Sequence, residues 1–153
     1  MSTDTPPELT EIATGLSFPE GPVALEDGSL LFVQIKTGLL SLVRPDGTVS
    51  TVAELGGGPN SVAIGPDGAA YVCNNGGFIW SEMGDWTLPM DLLTGASEPP
   101  GFGGGWIERV DLETGESTVL YRECHGRPLR GPNDLVFDGR GGLWFTDFGK
   151  TGE

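Results

Sequence analysis

The chain has 153 residues, 26 of them glycine and 12 proline, a density that breaks helices and excludes a helical bundle. No apolar run nears the roughly 18 residues of a membrane-spanning helix. A net charge of −14, from 8 Lys+Arg against 22 Asp+Glu, repels nucleic acid and anionic bilayers, so neither is expected as a partner. The apolar fraction of 37%, with four Trp and seven Phe, can still build a core, so the composition describes an ordered, turn-rich chain. Met1 to Pro7 carries neither the basic nor the apolar region of a secretory signal, and a cytoplasmic protein is expected. Cys73 and Cys124 lie outside any Cys-x-x-Cys spacing and are expected as free thiols.

Residues 1–13 read as an N-terminal tail and 14–153 as one repeating unit. Three segments share a pattern: Glu20 to Val33, Asn60 to Val72 and Asn133 to Thr146. Each is a polar residue, a short apolar strand, a turn containing glycine and a second strand, which is a hairpin signal. Glu20, Asn60 and Asn133 each stand eight positions before the turn glycine (Gly28, Gly68, Gly141), and Gln34, Asn74 and Asp147 six positions after it. Further hairpins follow at Leu40 to Val52, turning at Pro45-Asp46-Gly47, and at Ile107 to Leu120, turning at Glu113-Thr114-Gly115. Two hairpins per repeat make a four-stranded antiparallel sheet. The 40 residues from Glu20 to Asn60 suit a propeller blade of roughly 40–45 residues.

The expected fold is therefore all-β, a β-propeller of which this chain covers about two and a half blades. Blade 1 is expected at about 18–55, blade 2 at about 58–124 with an insertion at about 76–105, and the start of blade 3 at about 131–149. The insertion falls between the second and third strands of blade 2 and is rich in aromatic residues. Trp80, Trp86, Phe102 and Trp106 are candidates to roof the channel, or to pack on the blade. Because a propeller closes with typically 4–8 blades, the chain reads as a fragment of a longer protein, or as one subunit of an assembly closed by others.

In a propeller the innermost strand of each blade lines the central channel, so equivalent positions on successive blades form a ring. Glu20, Asn60 and Asn133 then converge at the channel mouth as one carboxylate and two amide carbonyls, donors that suit Ca²⁺, Mg²⁺ or Mn²⁺. The competing reading is that Asn before a strand merely makes a turn, which is weaker for Glu20. For the second ring, Gln34, Asn74 and Asp147, strand-end solvation serves as well as function. Other motifs fail on context. Asp147-Phe148-Gly149 lacks the remaining kinase segments, and Gly149-Lys150-Thr151 lacks the first glycine of a phosphate loop. His125 has no Cys/His cluster for zinc and no nucleophile elbow for a triad. Arg127 and Arg130 precede Asn133 and are candidates to hold a substrate; pairing with local carboxylates accounts for them equally well.

Phe18-Pro-Glu-Gly-Pro22, Gly58-Pro-Asn-Ser61 and Gly131-Pro-Asn-Asp-Leu-Val-Phe-Asp138 with Gly142-Leu-Trp-Phe-Thr-Asp147 resemble the gluconolactonase / senescence marker protein (regucalcin) / luciferin-regenerating-enzyme-like family. The resemblance covers about residues 14–149 and matches the N-terminal half of a six-bladed member. It implies a metal-dependent hydrolase of sugar lactones with one divalent cation at the channel top, Ca²⁺ first, with Zn²⁺, Mg²⁺ or Mn²⁺ as alternatives. It places metal ligands at Glu20 and Asn133 and substrate contacts at Asn60, Arg130 and Asp134. Arg130 stands three residues before Asn133, whereas some members place that arginine two before. The catalytic base and the remaining ligands are expected in later blades, so no catalytic residue is assigned here. The alternatives are a non-catalytic calcium- or ligand-binding propeller module and a related esterase or phosphotriesterase on the same scaffold.

Overall fold

The computed structural model describes residues 8–151; Met1 to Pro7 of the expected tail and the last two residues lie outside the described residues. Among those described there is no α-helix, and none long and apolar enough to cross a membrane. Fourteen strands follow in chain order: β1 (Pro19–Ala24), β2 (Leu30–Gln34), β3 (Leu39–Val43), β4 (Val49–Glu54), β5 (Pro59–Ile64), β6 (Ala70–Asn74), β7 (Ser81–Met83), β8 (Trp86–Leu88), β9 (Trp106–Val110), β10 (Ser117–Tyr121), β11 (Glu123–Cys124), β12 (Arg127–Pro128), β13 (Pro132–Phe137) and β14 (Leu143–Asp147).

The strands form two four-stranded sheets, ordered β1-β2-β3-β4 and β5-β6-β9-β10, then the hairpin β13-β14; the shorter hairpins β7-β8 and β11-β12 stand apart. All pairings are antiparallel. β5 lies beside β1 on one side and β13 on the other, so the first strands of successive sheets form a continuous inner wall. This is a section of a β-propeller. Residues 75–105, including β7 and β8, leave from the end of β6 and return at β9.

The turns use five of the 22 acidic residues. At Leu25–Ser29, Arg44–Thr48 and Gly65–Ala69 the same two backbone bonds close a three-residue loop ending in a left-handed glycine: Gly28 (φ 82°), Gly47 (φ 83°) or Gly68 (φ 78°). In each, the Asp before that glycine (Asp27, Asp46 or Asp67) accepts the backbone N–H two residues on. Asp111 and Asp138 do the same work in later turns. These hydrogen bonds hold Asp27, Asp46, Asp111 and Asp138 below the usual carboxylate range, and the Arg109 guanidinium does so first for Asp67.

Two apolar clusters join neighbouring sheets. Leu31, Val33 and Leu40 of the first sheet pack with Val62, Val72 and Val110 of the second. Cys73 and Ile107 of the second pack with Leu129 and Leu135 ahead of and within the third. Alternation along the strands supplies these inward faces. Cys73 is completely buried, and burial pushes its thiol up to about 12, so it acts as a small apolar side chain; Cys124 is an exposed free thiol.

Candidate functional site

The inner strands begin alike. Pro19, Pro59 and Pro132 open β1, β5 and β13, and the next residues are Glu20, Asn60 and Asn133. Each proline pairs with the last residue of the second strand: Pro19 with Gln34, Pro59 with Asn74, Pro132 with Asp147. Just beyond it each pairing slips, between Glu20 and Val23, Pro59 and Ser61, and Pro132 and Leu135. Such bulges bend a strand and re-aim its side chains, and they recur next to active sites. Here the slip takes in Asn60, Asn133 and Asp134 and begins at Glu20.

Glu20, Asn60, Asn133 and Asp134 line one open cavity of about 770 Å³ along the inner wall. Asn60 Nδ2 donates to the backbone oxygen of Asn133 at 3.3 Å, tying two ring positions together. Asp134 accepts the N–H of Leu135 at 2.9 Å, and Glu20 that of Gly21 at 3.3 Å. Neither carboxylate enters any ion pair among the described residues. No three His, Cys, Asp or Glu side chains able to hold a metal ion converge among the described residues; the cavity wall offers the Glu20 and Asp134 carboxylates with the Asn60 and Asn133 amides. That donor set fits a hard divalent cation and not a thiophilic one.

The second ring braces the first. Gln34 Oε1 accepts Ser17 N at 2.7 Å, Asn74 Oδ1 accepts Gly58 N at 2.8 Å, and the Asp147 carboxylate accepts Gly131 N at 2.6 Å and Arg130 N at 3.0 Å. Each holds the loop that leads into an inner strand. Asn74 uses all its bonding capacity: Oδ1 also takes Gly76 N, and Nδ2 donates to Gly56 O and to Glu108, both at 3.0 Å. Glu108 is buried, takes Trp106 Nε1 at 2.8 Å, and has its carboxyl raised by burial. Gly21 is required where it stands: its φ is 55°, and a Cβ there would lie 2.6 Å from Ser61 Cα on the neighbouring inner strand.

Arg130 is not in the cavity wall. Its guanidinium pairs with Glu98 of the insertion and lies 5.5 Å from the Phe102 ring, so the pairing alternative describes it. Arg127 sits in the β11-β12 hairpin, whose turn residues His125 (φ 51°) and Gly126 (φ 73°) are both left-handed, as a tight hairpin turn demands. The expected aromatic roof is also different in detail. Trp80 packs edge-on against Phe18 at 5.1 Å, Trp86 is exposed, Phe102 lies under Arg130, and Trp106 is bonded to Glu108. The insertion reaches the cavity through Phe78 and Pro89 instead. No sequence signal marked Phe78, because its role follows from where the insertion folds back.

Four-stranded antiparallel sheets whose first strands form one inner wall define the fold class, a β-propeller. The chain belongs to the SMP-30/gluconolactonase/LRE-like family, which it matches over residues 18–153. A curated gluconolactonase from Zymomonas mobilis is 27% identical over 161 aligned residues, covering 96% of this chain and 37% of that protein. Among solved structures, a gluconolactonase from Xanthomonas campestris superposes with a TM-score of 0.62 at 22% identity, covering 86% of this chain and 35% of its own. A structural-genomics target assigned to the gluconolactonase protein family gives 0.62 at 21% identity, covering 90% and 39%. At these identities the structures speak for the propeller fold. The chain spans a little over a third of the length of these relatives.

Proposed function

We propose that this chain forms part of the active-site wall of a metal-dependent hydrolase of sugar lactones. The observation that supports it most is the placement of Glu20, Asn60, Asn133 and Asp134 on three adjacent inner strands around one cavity. Glu20 and Asn133 would hold a divalent cation, Ca²⁺ first. When bound, such a cation polarises a carbonyl and stabilises negative charge on its oxygen. Asn60, already bonded to the Asn133 backbone, would orient a sugar hydroxyl, and Asp134 would accept from another. Arg130 pairs with Glu98 outside the cavity wall and is given no role here. No residue of this chain is assigned as the base.

The resemblance to gluconolactonases supports the sugar lactone as substrate. Phe18, Ile35 and Phe78 in the same wall favour a second reading, a related esterase taking a more apolar substrate. The test is a turnover screen of the protein over sugar lactones, apolar lactones and phosphotriesters, with and without a chelator. Sugar-lactone hydrolysis abolished by chelation is the expected result. Turnover confined to the apolar esters or phosphotriesters would replace the substrate class, and cation binding without turnover would leave a binding module.

A further inference from the structure

Beside the cavity, and sharing Asn60 and Asn133 with it, lies a second pocket of about 400 Å³ that no motif announced. Its base is built from three stretches of chain. Asn75 follows β6 and pairs its backbone N–H with Gly58 O at 2.8 Å, next to Pro59 and Asn60. Lys150 follows β14, and the adjoining Thr151 is stitched to the insertion: its carbonyl accepts Ser97 N at 2.8 Å, and its N–H donates to Ser97 Oγ at 3.0 Å. Phe78 forms the third side, with its ring centroid 3.1 Å from Lys150 Nζ.

One donor in this pocket lacks an acceptor, and one ammonium lacks a carboxylate. Lys150 Nζ donates to Asn75 Oδ1 at 2.9 Å but enters no salt bridge among the described residues. The nearby carboxylate, Glu98, is engaged by Arg130. Asn75 is 2% exposed, and its Oδ1 accepts both Lys150 Nζ and Gly77 N. Those two donors fix the amide's orientation and leave Nδ2 buried with no partner. A buried, unpaired amide N–H is costly unless something absent from the chain completes it. A half-buried ammonium that meets an aromatic ring and an amide oxygen but no carboxylate accommodates the same partner, an anionic oxygen.

We propose that this pocket is a specificity subsite in which Lys150 and Asn75 bind an anionic oxygen group, carboxylate or phosphate, carried by the sugar substrate whose lactone ring lies against Asn60 and Asn133. The inference rests on the lactonase reading for the ring, but not for the anion. Burial pushes the Lys150 amine down to about 7 in the empty pocket. An anion seated there offsets that desolvation and raises it.

The test reads binding, not turnover. Lys36 and Lys150 are the only lysines in the chain, so side-chain NMR of lysine-labelled protein follows each separately, with Lys36 as internal control. The probes are glucuronate, glucose 6-phosphate and uncharged glucose. The expected result is that one or both anions shift the Lys150 resonance and raise its titration midpoint, while glucose does not. A response to only one anion identifies which group the pocket takes. Lys150→Met should weaken anion binding by about tenfold or more, with Lys150→Arg retaining part of it. Anions that bind no better than glucose, or binding unchanged in Lys150→Met, would overturn the subsite. Absence of lactonase turnover alongside Lys150-dependent anion binding would leave the subsite standing and fail only the reaction assigned to the neighbouring cavity.

Discussion

Asn74 has no contact with the proposed substrate, yet it fixes where Asn60 stands. Its side chain joins Gly56, Gly58, Gly76 and the buried Glu108 in one network. Asn74→Ala strands several of these groups at once, and urea denaturation should show a loss of about 3 kcal/mol. Gly21→Ala acts through the backbone instead: the left-handed φ and the approach of Ser61 allow no Cβ, and a loss of at least about 2 kcal/mol is expected from the same measurement. Lys150 sets a pH dependence. Its amine is lowered from 10.5 to about 7 on folding, so between those values the unfolded chain holds a proton that the folded one has released. Stability therefore rises with pH across that window, and the rise should disappear in Lys150→Met.

The hairpin is the element that the sequence spells most clearly. Leu25-Glu-Asp-Gly-Ser29 and Arg44-Pro-Asp-Gly-Thr48 carry their turn geometry in the residues themselves: a glycine that accepts positive φ, and an aspartate that accepts the N–H two residues on. Because four of these turn aspartates are held below 3.8 first by those backbone bonds, they contribute stability above that value and lose it as pH falls through their lowered range. Acid unfolding should begin below about pH 4, and Asp46→Asn should blunt its onset by removing at neutral pH the contribution that acid would otherwise take away. The equal offset of Glu20, Asn60 and Asn133 from their turn glycines carries the ring just as directly, because strand period and hairpin register together fix the inner wall. The second ring was legible as a pattern but not as a function, since bracing and solvent exposure predict the same polar residues at strand ends. The insertion was legible only as a gap in the repeat. Nothing in its spacing says that Phe78 turns toward the cavity while Trp86 turns away, because that choice is made by long-range contacts such as Phe18 with Trp80 and Lys36 with Glu82. Asn75 and Lys150, 75 residues apart, meet for the same reason.

At the scale of the whole chain of 153 residues, Val136 on β13, Trp144 on β14 and Phe148 just beyond are 60%, 67% and 87% exposed. Exposed apolar side chains on the β13-β14 hairpin favour association of this chain, and its net charge of −14 opposes it. Light scattering should therefore show self-association that grows with added salt and weakens in Trp144→Gln. Three strands from successive sheets present Glu20, Asn60, Asn133 and Asp134 to one cavity, and the reading as a cation site depends on that convergence. Calorimetric titration of the protein with Ca²⁺, alongside Glu20→Gln and Asn133→Ala, tests it most directly. One bound cation is expected, with affinity reduced by about tenfold or more in each variant. Binding that is absent, or that is indifferent to both substitutions, would contradict it.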